Sequence, residues 1–188
     1  MSTVVVIYFS ATGATECLAK AVCEGANAIT TSAVHRITGS EIVEGRFRNE
    51  AALALVDSAD AVVFGSPTYM GGPAAQFKAF ADATGDRWSE RRWAHKVAAG
   101  FTTGTCANGD QGHTLTYFAV LAAQHGMIWC NLDIPGGFDE HNRNRLGTQM
   151  GVSSQLVEGS LPASDLLTAQ HLGRQVASLV LRLAESKP

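Results

Sequence analysis

The chain has 188 residues, of which 46% are hydrophobic and 16% charged, and its formal net charge is −3. This length predicts one domain over residues 1–188 with a sizeable core. Scattered basic residues argue against a nucleic-acid surface, and no apolar run is long enough to span a membrane. The four cysteines form no C-x-x-C pair, so we expect no metal site and reduced thiols in a cytoplasmic protein.

Short apolar runs alternate with amphipathic segments along the amino-terminal part of the chain. The apolar runs predict strands, and apolar residues repeating every three or four positions predict helices. The predicted elements are a first strand over residues 4–9, a helix over 14–26, a second strand over 28–37, a helix over 50–58 and a third strand over 61–65.

The same alternation continues in the carboxyl-terminal part. A helix follows Pro73, which is suited to a first helical turn. After it we predict a fourth strand over 97–101, a helix over 113–125, a fifth strand over 127–132 and a last helix over 163–184. The connection over 131–161 is long for a loop, and we expect either a lid over the site or a contact between subunits.

This alternation predicts an α/β fold, namely a doubly wound, five-stranded parallel sheet of order 2-1-3-4-5 with helices on both faces. In such a sheet the ligand crevice lies beyond the carboxyl ends of strands one, three and four. Three loops should therefore converge there, over residues 10–15, 66–72 and 102–109.

The first of these loops has the composition of a phosphate site. Ser10, Thr12 and Thr15 carry hydroxyls, Gly13 permits a tight turn, and the next helix directs free N–H groups to the same point. The loop contains neither the lysine of a nucleotide triphosphate loop nor the G-x-G-x-x-G of a dinucleotide loop. It favours a single terminal phosphate, such as that of FMN.

The other two loops are rich in glycine, threonine and proline. Such residues form rigid turns whose backbone N–H and C=O groups can approach a flat polar ring closely. An isoalloxazine ring needs donors and acceptors along its edges and an apolar cover on its face. The two loops are therefore candidates for holding a flavin ring.

Several motifs resemble known families. The first loop resembles the S/T-x-T-G-x-T loop of flavodoxins, and residues 65–72 resemble the G-[ST]-P-T-x-x-G loop of WrbA-type FMN-dependent NAD(P)H:quinone oxidoreductases. Residues 77–85, 96–101 and 124–127 continue the likeness, which spans the chain from Val4 to about Leu183. The third loop differs, since it carries Cys106, Ala107, Asn108 and Asp110 where that family typically has glycines.

The resemblance implies a flavodoxin-like fold and non-covalently bound FMN that passes hydride from NAD(P)H to a quinone or a similar small acceptor. It also implies a homodimer or homotetramer, His125 as the catalytic residue at the quinone, and Trp88 and Tyr69 as substrate-binding residues. The implied cofactor-binding residues are Ser10, Thr12, Gly13, Ala14, Thr15, Pro67, Thr68, Tyr69, Met70, Gly71, Thr102, Thr103, Gly104, Thr105, Asn108 and Gly109.

Other interpretations stay open. The protein could be a flavodoxin-like single-electron carrier, although 14 basic against 17 acidic residues do not give the strongly acidic docking surface usual for carriers. It could also be a flavin-binding or regulatory protein without catalysis. At single positions, the hydroxyls of the first loop could be helix caps, and Trp88 and His125 could pack a helix end.

Overall fold

A computed structural model describes residues 2–185 of the chain. Its first elements are β1 (Thr3–Phe9), α1 (Ala14–Asn27), β2 (Thr31–Ile37), a 3-10 turn (Gly39–Glu41), β3 (Ile42–Val43), β4 (Arg46–Phe47), α2 (Glu50–Asp57), β5 (Ala61–Tyr69) and β6 (Gly72–Pro73). They are followed by α3 (Ala75–Asp82), α4 (Gly85–Ser89), β7 (Val97–Gly104), α5 (Gln111–Gln124), β8 (Ile128–Trp129), β9 (Val152–Gln155) and α6 (Ala163–Glu185). No helix within the described residues is long and apolar enough to cross a bilayer.

The central sheet has the predicted order. Its parallel strands run β2-β1-β5-β7, and β8 and β9 both pair in parallel with the outer side of β7. When β8 and β9 are counted as one edge strand, this is the order 2-1-3-4-5, and the prediction is confirmed. The apolar run that predicted strand one forms β1 at the centre, where Val4 to Ile7 are fully buried.

Helices cover both faces of the sheet, as the alternation predicted. One core lies against α2, α3 and α5 and contains an aromatic cluster of Phe64, Phe77 and Phe118, with the rings of Phe77 and Phe118 4.7 Å apart. The other core lies against α1 and α6. Both faces of the central strands are therefore buried, which explains why those strands are continuous apolar runs.

The fifth strand differs from the prediction. The chain leaves the sheet after β8 and returns as β9, so residues 152–155 of the segment predicted as a loop are a strand. β8 pairs with the first residues of β7 and β9 with the last, from Phe101 to Gly104. The edge strand is thus split by an insertion over residues 130–151, and the polar Val-Ser-Ser-Gln sequence of β9 gave no apolar signal.

The insertion is fastened to α6. The Arg145 Nε donates to a carboxylate oxygen of buried Asp165 at 2.8 Å, and the Asn144 N–H donates to the Thr168 hydroxyl at 2.8 Å. Ser154 in β9 donates to the same Asp165 carboxylate at 2.5 Å. The insertion and the second half of the edge strand therefore share one buried anchor.

Helices α1 and α6 touch through their backbones. A Cβ placed on Gly25 would lie 1.9 Å from the Gln170 carbonyl oxygen, and one on Gly173 would lie 2.0 Å from that of Val22. A side chain at either position would force the helices apart. Because α1 begins at the first loop, this contact also helps to fix that loop.

Candidate functional site

Three segments meet at the carboxyl ends of β1, β5 and β7, where the sequence predicted a crevice. We name them loop 1 (residues 10–15), loop 2 (residues 66–73) and loop 3 (residues 104–110). The strands that carry them are neighbours in the sheet, so their ends are adjacent. The prediction that the loops over residues 10–15, 66–72 and 102–109 converge agrees with the observed strand order.

Threonine hydroxyls tie loops 1 and 2 to the end of β7, the strand that carries loop 3. Thr15 and Thr103 share a hydrogen bond of 2.9 Å, which links α1 to β7. On the other face of the sheet, the Thr68 hydroxyl lies 2.8 Å from those of both Thr102 and Thr114. Adjacent residues of β7 thus reach opposite faces, as strand geometry requires. These hydroxyls hold the crevice in shape, a role that the sequence did not predict for them.

Loop 1 presents an open turn followed by a helix N-terminus. Gly13 has a φ of 99°, and no atom lies within 4 Å of a Cβ placed there. The Ser10 hydroxyl oxygen accepts from the Gly13 N–H at 3.1 Å and shapes the turn. The first N–H groups of α1 have no intrahelical acceptor, and Thr12 is exposed beside them. Such a site binds an anion.

A cation that the sequence analysis missed lies beside loop 1. The Arg36 guanidinium, near the end of β2, donates to the Ser10 carbonyl at 2.9 Å and to Glu16 at 3.1 Å. A hydrogen bond from Lys20, and the charges of Lys20 and Arg36, hold the pKa of Glu16 below its usual value. Only tertiary pairing of β1 with β2 brings Arg36 to this place.

Loop 2 is a tight hairpin. Thr68 and Tyr69 pair antiparallel with Gly72 and Pro73, which leaves Met70 and Gly71 as a two-residue turn. The buried Ser66 hydroxyl accepts from the Ala74 N–H at 2.9 Å and fixes the start of α3. Tyr69 is about half exposed and the Met70 side chain fully exposed. The tip of the hairpin therefore projects from the crevice.

Loop 3 is closed by a side chain that the sequence analysis also missed. Buried Gln111, at the start of α5, donates from Nε2 to the Cys106 carbonyl at 2.7 Å and accepts from the Gly109 N–H at 2.8 Å. These two bonds replace the sheet contacts that the loop lacks. Thr105 and Asn108 remain exposed on the loop.

The residues present fit FMN. Loop 1 offers free N–H groups and open space for a phosphate, and loops 2 and 3 carry backbone groups at the two neighbouring strand ends. The ties between the threonines hold these groups in place without a ligand. The residues predicted to bind the cofactor all belong to these three loops and to the strand ends that carry them.

Trp88 and His125 lie away from the three loops, toward the opposite edge of the sheet. Helix α5 begins beside the crevice and its 14 residues run back along the sheet for about 21 Å. His125 follows it, and the carbonyl of the next residue, Gly126, accepts from the N–H of His95, just before β7 begins. Trp88 and His125 together line a cavity of about 330 Å³ that extends between α3 and α5 as far as Lys78 and Tyr117. Within one chain they do not join the three loops.

The hydrogen bonds of His125 define its chemistry. The Thr84 hydroxyl donates to the Ala81 carbonyl at 2.7 Å, so the Nε2–H of His125 is the donor in the 2.9 Å contact with Thr84. Nδ1 is buried without a partner among the described residues, and burial lowers the pKa of the imidazole. The ring also stacks on Trp93, with centroids 4.4 Å apart. His125 is therefore a neutral histidine whose free nitrogen is an acceptor.

Comparison with known proteins identifies the family. The family model described as "NADPH-dependent FMN reductase" matches residues 3–132. "Flavodoxin FldP" from Pseudomonas aeruginosa is 38% identical over 187 residues, which covers 95% of this chain and 97% of that protein. An "NAD(P)H dehydrogenase (quinone)" from Archaeoglobus fulgidus is 33% identical over 198 residues, covering 97% of this chain and 100% of that protein.

A solved structure agrees with the sequence matches. The crystal structure of the "flavodoxin, WrbA-like protein" from Agrobacterium tumefaciens has 37% sequence identity and a TM-score of 0.76, and covers 97% of this chain and 99% of that chain. The fold class and the family predicted from the motifs are thereby confirmed. The chain belongs to the NADPH-dependent FMN reductase family and is an FMN-binding, NAD(P)H-dependent oxidoreductase with a flavodoxin-like fold.

Proposed function

We propose that the protein passes electrons in pairs from NAD(P)H, through FMN in the three-loop crevice, to a quinone or a similar small acceptor. The observation that carries this proposal is the pre-formed crevice, in which an open glycine turn and a helix N-terminus face two rigid loops. The A. fulgidus relative, named NAD(P)H dehydrogenase (quinone), supports the acceptor class. Four free cysteines suit a cytoplasmic location.

The chain's own residues would bind and orient the cofactor, which when bound supplies the redox chemistry. The N–H groups of Ala14 and Thr15 and the Thr12 hydroxyl would hold the phosphate, and Arg36 would favour its negative charge. The segment from Pro67 to Gly71 would line one edge of the ring. Residues 102–105 with Asn108 and Gly109 would hold the pyrimidine end. Tyr69 would cover a face of the ring or the acceptor beside it.

Trp88 and His125 could reach a flavin only in another copy of the chain, because they lie at the opposite edge of the sheet. We therefore propose a homodimer or homotetramer in which the amino edge of one subunit faces the crevice of its neighbour. In the present arrangement Nδ1 of His125 is buried and carries no hydrogen, and a quinone oxygen can only accept, so this atom does not bind the acceptor molecule as it stands. Donation from Nδ1 would require protonation of the ring.

The phosphate site is tested by a matched pair of glycine variants. Gly13 and Gly45 both have positive φ, of 99° and 75°, and open space around a Cβ, but only Gly13 lies in loop 1. Quenching of FMN fluorescence should show wild-type affinity in Gly45→Ala and affinity about 10-fold weaker in Gly13→Ala, since alanine strains the turn that precedes the anion site. Equal affinity in the two variants would remove loop 1 from the site.

The reaction is tested by an anaerobic titration. NADPH or NADH should bleach the flavin of the holoprotein, and added benzoquinone should restore its colour over repeated cycles. The relative named flavodoxin FldP favours a second candidate, a single-electron carrier. A carrier would be reduced only by a partner reductase. A yellow protein that reacts with neither coenzyme nor reductase would instead be a flavin-binding protein without catalysis.

A further inference from the structure

The first turn of α5 contacts both loops that would hold the flavin ring. Gln111 closes loop 3, and the Thr114 hydroxyl lies 2.8 Å from that of Thr68 at the base of loop 2. His113 reaches the tip of loop 2, where its Nδ1 lies 2.6 Å from the Gly71 carbonyl oxygen. Three neighbouring side chains of one helical turn thus set the geometry of two loops.

The tip of loop 2 has a backbone conformation that contacts from elsewhere in the protein must hold in place. Met70 and Gly71 have φ values of 48° and 78°, the two positive angles of a type I′ turn. Glycine adopts such angles freely, whereas methionine does so with strain. The Met70 side chain is fully exposed, so its own packing does not hold the turn. The His113 contact supplies a restraint from outside the hairpin.

The chemistry of this contact determines which ring nitrogen of His113 is the donor. A carbonyl oxygen can only accept, so Nδ1 of His113 carries the hydrogen and donates it. Both the neutral imidazole with this tautomer and the imidazolium keep that donor. The hydrogen bond to Gly71 therefore persists whether or not the other ring nitrogen is protonated.

We propose that His113 is a positioning residue, which holds the Met70–Gly71 turn in the orientation that contacts the edge of the flavin ring. The inference rests on the proposed FMN site. His113 itself does not take part in the reaction. Its effect on the cofactor passes through the Gly71 carbonyl and the backbone of the turn.

Three variants test this inference. His113→Ala removes the donor, His113→Asn places an amide N–H near the position of Nδ1, and Thr116→Ala is a control on the same helix, since its hydroxyl bonds only within α5, to Gly112. FMN affinity is measured by fluorescence quenching, and contact with the ring by visible circular dichroism of the bound flavin. Hydrogen exchange of residues 69–72 in the protein without FMN reports on the turn alone.

We expect His113→Ala to bind FMN about 2- to 10-fold more weakly, the effect of losing one ordinary hydrogen bond. Its bound flavin should have an altered visible dichroism, and residues 69–72 should exchange faster. His113→Asn should restore all three properties, and Thr116→Ala should match the wild type. The inference alone would be overturned if FMN affinity and hydrogen exchange of residues 69–72 were unchanged in His113→Ala. It would also be overturned if asparagine at this position did not restore these properties. Wild-type protein that leaves FMN unquenched would overturn the proposed function as well.

Discussion

Replacement of Gly173 by alanine should loosen the contact between α1 and α6. A Cβ at this position would lie 2.0 Å from the Val22 carbonyl oxygen and 2.9 Å from the Ala26 nitrogen. Carbon and oxygen atoms in close backbone contacts stay about 3.3–3.6 Å apart. Because the obstructing atoms belong to backbone and cannot rotate away, the two helices must separate by about 1 Å or more.

The expected cost follows from two opposing effects. Forcing an extra methyl group into a packed interface destabilises a protein by about 1–3 kcal/mol. Alanine in place of glycine within a helix stabilises it by about 0.5–1 kcal/mol, since the unfolded chain loses freedom. Because the obstructing atoms are backbone, we place the cost in the upper part of its range, about 2–3 kcal/mol, and expect the free energy of unfolding to fall by about 1–2.5 kcal/mol.

Gly112→Ala is the matched control. Gly112 also lies in a helix, α5, but no atom lies within 4 Å of a Cβ placed there, so alanine should stabilise the protein by about 0.5–1 kcal/mol. Urea unfolding of the protein without FMN, followed by far-ultraviolet circular dichroism, should give midpoints that shift in opposite directions with equal slopes. A Gly173→Ala midpoint equal to or above that of the wild type would refute the backbone contact.

Three further substitutions have defined outcomes. Lys96 donates to three carbonyls at the end of α2, including that of Asp57 at 2.6 Å. Lys96→Met should therefore lower the free energy of unfolding by about 1–3 kcal/mol. An unchanged free energy of unfolding in urea would contradict this prediction. Gln111→Leu removes both hydrogen bonds that close loop 3 and should weaken FMN binding about 10-fold, as measured by fluorescence quenching. Wild-type affinity in this variant would show that loop 3 keeps its shape without these bonds. Burial lowers the pKa of His125 below its unfolded value of about 6.5, so the unfolded chain takes up the proton first and stability falls as the pH drops below about 6.5. His125→Gln should therefore lose less unfolding free energy between pH 7 and pH 5 than the wild type, and an equal loss would count against a buried neutral ring.

The order of the sheet and the position of the crevice were predictable because they depend on local signals. The apolar runs of β1, β5 and β7 are buried on both faces, and the helices between them carry clear apolar stripes. The edge strand was not predictable in the same way. β9 is short and polar, and it is held in the sheet by pairing with the end of β7, from Phe101 to Gly104, which is far away in sequence.

The loops of the candidate site were predictable from the sequence, and the side chains that hold those loops in place were not. Loop 1 was found because hydroxyls and a glycine directly follow a buried strand. Arg36, Gln111 and His113 were missed because each acts through a contact that forms only in the folded chain. His125 was expected beside the flavin, and its distance from the three loops of its own chain is explained by the order of elements, since a helix that begins at one edge of a parallel sheet ends at the other.

The split edge strand has a consequence for solubility. An exposed strand with a long row of free backbone groups is a template on which other chains can add and aggregate. Here the edge beyond β7 consists of pieces of two and four residues, separated by the folded insertion. Neither piece has enough free backbone N–H and C=O groups in a row to pair with an incoming strand. The insertion therefore protects this edge of the sheet from pairing with the sheet of another copy.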